Sequence, residues 1–142
     1  PGLEHRTQWV ADVAGVRYVN DSKGTNVGAT LAAVSGFSGT LVIIAGGDGK
    51  GQDFAPLAAA FRDKVRHVVL IGRDAPALAA VLEGVCPLTR EATLEAAVRT
   101  APRIAVSGDT VLLSPACASL DMFRDYAQRG RIFAEAVRSL AA

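Results

Sequence analysis

Two rhythms of apolar residues alternate along this chain. Thr40-Leu41-Val42-Ile43-Ile44-Ala45 is a continuous apolar run, as expected of a strand covered on both faces. Val65 to Ile71 repeats the pattern, Thr110 to Leu113 does so again, and Pro87-Leu88 allows one more short strand. Thr7 to Val13 and Val16 to Asn20 alternate instead, and Ala14-Gly15 between them predicts a hairpin turn. The second rhythm is helical. Val27, Leu31 and Val34 share one helix face, with Gly36 as a stop. Asp53 suits the cap of a helix running to about Phe61, and an alanine- and leucine-rich helix extends to about Leu82. Thr93 suits the cap of another ending near Ala101, and Phe133, Val137 and Leu140 mark a helical tail.

Strands alternating with helices at this spacing predict an α/β, Rossmann-like three-layer domain. Its sheet is mostly parallel with helices on both faces, and the N-terminal hairpin adds an antiparallel edge. In such sheets ligands bind beyond the carboxyl ends of the strands. That rule gathers the segments after Val19, Ala45, Ile71 and Leu113 onto one rim.

Composition narrows the function classes. Half of the 142 residues are hydrophobic and the formal net charge is +1, which excludes a disordered chain and a broad nucleic-acid surface. Cys86 and Cys117 have no metal-ligand spacing, and nothing resembles a signal peptide. Both thiols are expected free in a reducing cytoplasm. No apolar run is long enough for a bilayer, so no membrane partner is expected. Pro1 to Arg6 begins without a methionine and suggests an interdomain linker and lead-in, with the domain proper at residues 7–142. A fragment of a longer protein is the expectation.

The rim segments carry the candidate chemistry. Asn20-Asp21-Ser22-Lys23-Gly24-Thr25-Asn26 sits between a strand and a helix, where unpaired helix amides favour an anion and Thr25 or Asn26 can cap the helix. An ordinary turn with a capping residue explains the same residues. Gly46-Gly47-Asp48-Gly49-Lys50-Gly51 lacks the spacing of a Walker loop. Its glycines still permit close backbone approach, and Lys50 offers a mobile cation for a carboxylate or phosphate, or is simply solvated. Ser119 is expected to cap a helix through Asp121 and Met122. No nucleophile elbow surrounds it, and neither His5 nor His67 is placed as a base. Cys117 reads as a small buried hydrophobe. Arg129 and Arg131 either face solvent or reach the rim, and no carboxylate pair forms an acid/base dyad.

His5-Arg6, the Asn20–Asn26 block, Gly46-Gly47-Asp48-Gly49-Lys50, Ser114-Pro115-Ala116-Cys117-Ala118-Ser119-Leu120-Asp121 and Gln128-Arg129-Gly130 follow one another in an order that resembles the carboxyl-terminal domain of the Mur ligases. Within that family the resemblance is to the branch that adds D-glutamate, and it covers essentially the whole chain. It implies a cytoplasmic, ATP-dependent ligase joining D-glutamate to UDP-N-acetylmuramoyl-L-alanine through an acyl-phosphate, with Mg2+ screening the phosphates, in peptidoglycan precursor synthesis. By resemblance Thr25, Lys50, Ser119 and Leu120 match D-glutamate positions, with Lys23 and Tyr126 beside them. Arg6 and Asp21 match the ATP side, and Asn20 and Arg129 are further candidates. The family's UDP-binding and central ATPase domains are missing from this sequence. The fragment is expected to be inactive alone, to work against that central domain, to hold no metal itself and to be a monomer. A stand-alone anion- or nucleotide-binding module, or the matching domain of another Mur ligase or a folylpolyglutamate synthetase, are the alternatives.

Overall fold

A computed structural model of the chain describes residues 4–141. Pro1 to Leu3, half of the expected linker, lie outside the described residues. The elements are β1 (Gln8–Val13), β2 (Val16–Asn20), α1 (Val27–Ser35), β3 (Leu41–Gly46), α2 (Pro56–Phe61) and β4 (Val65–Ile71). They continue with α3 (Ala75–Leu82), β5 (Leu88–Arg90), α4 (Leu94–Ile104), β6 (Thr110–Leu113) and α5 (Tyr126–Leu140).

The strands form one six-stranded sheet in the order β1-β2-β6-β3-β4-β5. β1 runs antiparallel to β2, and all other pairs are parallel. Ala14 and Gly15 turn the hairpin with φ of 53° and 80°, the positive pair a two-residue loop of matching twist requires.

Period-two alternation sends each strand's side chains into two cores. Leu41, Ile43 and Ala45 of β3 join Val68, Leu70 and Leu112 against Val34, Leu57 and Leu78 of α1, α2 and α3. Val42, Ile44, Val69, Val111 and Leu113 face the other way, against Leu94 and Val98 of α4 and Phe133 and Val137 of α5. Both faces of the central strands are therefore dry, which is why their sequences show no polar alternation.

Three helix boundaries differ from expectation. α2 starts at Pro56 because Asp53 Oδ1 takes the Ala55 N–H in a tight turn (2.9 Å) instead of capping the helix. α4 runs beyond Ala101 to Ile104 with Pro102 inside its last turn. No helix starts at Ser119, since Asp125 caps α5 by accepting the Gln128 N–H at 2.8 Å. Residues 119–125 form turns in which the Ser119 carbonyl accepts the Met122 and Phe123 N–H groups, while those two side chains pack on the second core. No described helix is long and apolar enough to cross a membrane.

Candidate functional site

Every parallel strand delivers its carboxyl end to the same edge of the sheet, and the segments leaving those ends are stitched together. The Ala116 N–H donates to the Gly24 carbonyl (3.1 Å), and the Gly46 N–H donates to the Pro115 carbonyl (3.0 Å). Asp48 and Ala118 exchange N–H groups and carbonyls at 3.0 and 2.8 Å. The 114–119 segment is thus clamped between the 20–26 and 46–51 segments. Glycine is required at two further close approaches, where the segment leaving β4 meets the 46–51 segment. A Cβ on Gly46 (φ 131°) would come within 1.8 Å of the Ile71 carbonyl oxygen, and one on Gly72 within 2.7 Å of Gly47.

A set of buried polar side chains makes the scaffold of this rim. Arg129 is 1% exposed. Its guanidinium donates to Ser22 Oγ (2.9 Å), to the Ser22 carbonyl (2.6 Å) and to the Cys117 carbonyl (3.0 Å). Burial, with no carboxylate in contact, lowers its pKa to about 10. Ser22 Oγ in turn donates to the Tyr126 carbonyl at 2.6 Å. Asn20 accepts the Ser22 N–H on Oδ1 and donates from Nδ2 to His5 Nδ1 (3.0 Å) and the Gly130 carbonyl (3.3 Å). Of the two readings of Arg129, the reach to the rim is the observed one. Beside it, burial chiefly pushes the Cys117 thiol up to about 12, so it stays a thiol as expected of a packing residue.

The residues singled out for D-glutamate differ from this scaffold in one respect: their polar heads are free. Among the described residues the Thr25 and Ser119 hydroxyls have no hydrogen-bond partner and Lys50 has no ion-pair partner. Lys50 stands exposed at φ 51°, its N–H held by Asp48 Oδ1 at 2.9 Å. Asp48 is itself paired to Arg73 and stays ionised below the usual carboxylate range through the Lys50 N–H and that guanidinium. Lys23 Nζ lies 5.9 Å from the centre of the Tyr126 ring. Leu120 is 64% exposed on the same rim, an apolar side chain with nothing described to cover it.

Asp21 and Arg6 line a groove of about 370 Å³ with Thr7, Lys23, Gly24 and three alanines of α1, so Lys23 borders both sets of candidates. Asp21 is buried, accepting the Thr7 N–H (3.0 Å) on one oxygen and the Ser114 hydroxyl (3.2 Å) on the other. Burial raises its pKa, opposed by those two hydrogen bonds and by Arg6. The amino end of α1 proves less open to an anion than its position suggests. Asn26 caps the Ala29 N–H at 2.8 Å, and the Val27 N–H is taken at 2.9 Å by Gln52, a residue sequence reasoning did not single out. No three His, Cys, Asp or Glu side chains converge among the described residues.

The family described as "Mur ligase, glutamate ligase domain" matches residues 5–117. This chain belongs to that family. The Mur ligase domain is 61% identical over 141 residues to a UDP-N-acetylmuramoylalanine–D-glutamate ligase of Methylococcus capsulatus, covering 99% of this chain and 31% of that protein. It is 60% identical to one of Burkholderia mallei, covering 99% of this chain and 28% of that protein. The chain therefore spans about three-tenths of the length of these curated relatives. Among solved structures, a bifunctional folylpolyglutamate synthase/dihydrofolate synthase from Yersinia pestis CO92 matches with TM-score 0.67 at 19% identity, over 99% of this chain and 32% of that one. UDP-N-acetylmuramate-alanine ligase from Thermotoga maritima matches with TM-score 0.62 at 16% identity, over 97% of this chain and 31% of that one. At such identities these two speak for the fold of the Mur ligase domain alone.

Proposed function

We propose that this domain holds D-glutamate, and one side of ATP, for an ATP-dependent ligase that adds D-glutamate to UDP-N-acetylmuramoyl-L-alanine. The observation that carries the reading is the 61% identity, over 99% of the chain, to a ligase of that name. The free heads of Thr25, Lys50 and Ser119 support it physically.

D-glutamate brings two carboxylates and an amine. The carboxylates suit the ammonium of Lys50 and the hydroxyls of Thr25 and Ser119, groups that need not break an internal bond to bind. Lys23, over the Tyr126 ring, supplies a second cation at the margin. Held by its carboxylates, the amino acid can present its amine to an acyl-phosphate made when ATP phosphorylates the alanyl carboxylate. Attack forms a tetrahedral intermediate, which expels inorganic phosphate while the new amide nitrogen loses its proton. The domain's part is positioning, which converts an encounter into a near-unimolecular step. In the groove, Asp21 suits a ribose hydroxyl and Arg6 a phosphate or the adenine ring. Asn20 and Arg129, whose polar atoms are already paired, act by holding the loops.

Residues 1–6 would then be the interdomain linker and lead-in, with His5 already fixed to the body by the Lys23 N–H at 2.8 Å. The UDP-binding and central ATPase domains, and any magnesium, belong to the rest of a cytoplasmic enzyme, and hinge closure would complete the site. The test is a chimera in which this chain replaces the matching domain of the Methylococcus relative. Phosphate release that depends on D-glutamate, and is not supported by L-glutamate, L-lysine or meso-diaminopimelate, is expected. A folded chimera that prefers another amino acid would contradict the reading.

A further inference from the structure

Gln52 occupies a junction that none of the rim's other side chains shares. Its Oε1 accepts the N–H of Val27, the first residue of α1, at 2.9 Å, and its Nε2 donates to the Ala116 carbonyl at 2.7 Å. The opposite characters of those two backbone partners leave one orientation for the amide. Its own N–H donates to the Gly49 carbonyl (3.1 Å), so the side chain is anchored to the turn that carries Lys50.

Three chain segments meet at this one amide, and each bears one of the free polar heads. Lys50 is two residues before Gln52, Thr25 two before Val27, and Ser119 three after Ala116. The 114–119 segment has backbone bonds of its own to both neighbours. The 46–52 segment and the amino end of α1 do not touch in that way. Among the described residues, the Gln52–Val27 bond is the sole hydrogen bond running directly between them. Ala116, the second anchor, sits at φ 61°, a conformation an L-residue keeps only when its surroundings hold it there.

We infer that Gln52 is a positioning residue of the amino-acid site, setting the distance between the Lys50 ammonium and the Thr25 and Ser119 hydroxyls so that all three engage one D-glutamate. The inference rests on the proposed function and deepens it. Gln52 touches no reacting atom. Its effect passes through the backbone at Val27 and Ala116. Losing it lets the lysine turn drift from the other two groups, weakening recognition of the amino acid more than the nucleotide groove, where Asp21 is held by the Thr7 N–H and the Ser114 hydroxyl rather than by Gln52.

The experiment is steady-state phosphate release by the intact ligase carrying this domain, comparing wild type with Gln52→Met, which keeps length and volume but removes both hydrogen bonds. Gln52→Ala serves as the second variant should the first fail to fold. The expected result is a rise of about tenfold in KM for D-glutamate, with kcat and the KM for ATP within about twofold of wild type. Amide exchange at Val27 should accelerate in the same variant. Faster exchange at Val27 with an unchanged KM for D-glutamate would show a merely structural tie and overturn the inference. A parallel fall in kcat for all substrates would also overturn it. Wild type that releases phosphate with no D-glutamate dependence would overturn the functional reading and this inference together.

Discussion

Gly46 and Gly51 bracket the lysine turn, and the two make a controlled pair. At Gly46 a side chain would run into the Ile71 carbonyl at 1.8 Å, whereas at Gly51 (φ 73°) an added Cβ meets nothing within 4 Å. Gly46→Ala should therefore destabilise the domain by about 3 kcal/mol or more, through both clash and backbone strain. Gly51→Ala should cost only about 1 kcal/mol, the strain alone. Equal urea midpoints for the two variants would contradict the packing described here. The same logic separates scaffold residues from those whose polar heads are free. Arg129→Met strips three hydrogen bonds from buried acceptors and should cost roughly 3 kcal/mol. Thr25→Ala removes a hydroxyl without an internal partner and should stay within about 0.5 kcal/mol of wild type. The sequence shows all of these residues as ordinary turn or helix letters. What distinguishes Arg129 from Lys50 is whether the fold brings acceptors to the charge, and the Ser22 and Cys117 carbonyls come from distant segments.

At the scale of elements, local chemistry was legible at two helix caps and misleading at Asp53, whose carboxylate serves the Ala55 N–H of a turn instead. Asn26 and Thr93 cap α1 and α4 through their own i+3 amides, and Thr93→Ala should lower stability by about 1 kcal/mol. The buried strands were legible because a fully covered strand has no polar position to hide. Ser119-Leu120-Asp121-Met122 misleads because it imitates a capping signature. The apolar Met122 and Phe123 that follow pack on the second core as turn residues, with no helical face behind them, so the true cap is Asp125. Gln52 was illegible for a different reason: its partners are backbone groups at Val27 and Ala116, which carry no side-chain signal. Far from the rim, Asp109 ties the turn before β6 to β4 through Arg66, at 2.7 and 3.2 Å. Burial works to raise the Asp109 pKa, but the Arg66 hydrogen bonds and the Val106 N–H prevail and hold it below the usual range. A depressed carboxylate stabilises the fold above its unfolded pKa, near 4, and that contribution is lost as pH falls through the lower folded value. Arg66→Gln should flatten this acid limb in urea midpoints measured between about pH 2 and 6, and an unchanged limb would remove Asp109 from the account.

For the whole molecule, the sheet order matters because it places β6 between β2 and β3. The segment leaving β6 therefore emerges between the two segments that carry Thr25 and Lys50, and a single edge collects groups that are far apart in sequence. Under the proposed function, one rim of a parallel sheet would be half of an active site, offered to an ATP-bearing partner domain. The account stands on that rim recognising D-glutamate through free heads held by a rigid scaffold. The most direct measurement is phosphate release against D-glutamate concentration for the intact ligase with Lys50→Met, alongside its unfolding curve. The loss of one charge-assisted contact, about 1.5–3 kcal/mol, predicts a KM for D-glutamate raised by roughly ten- to a hundredfold, an unchanged KM for ATP and an unchanged unfolding midpoint. A KM for D-glutamate equal to that of wild type would contradict the central claim.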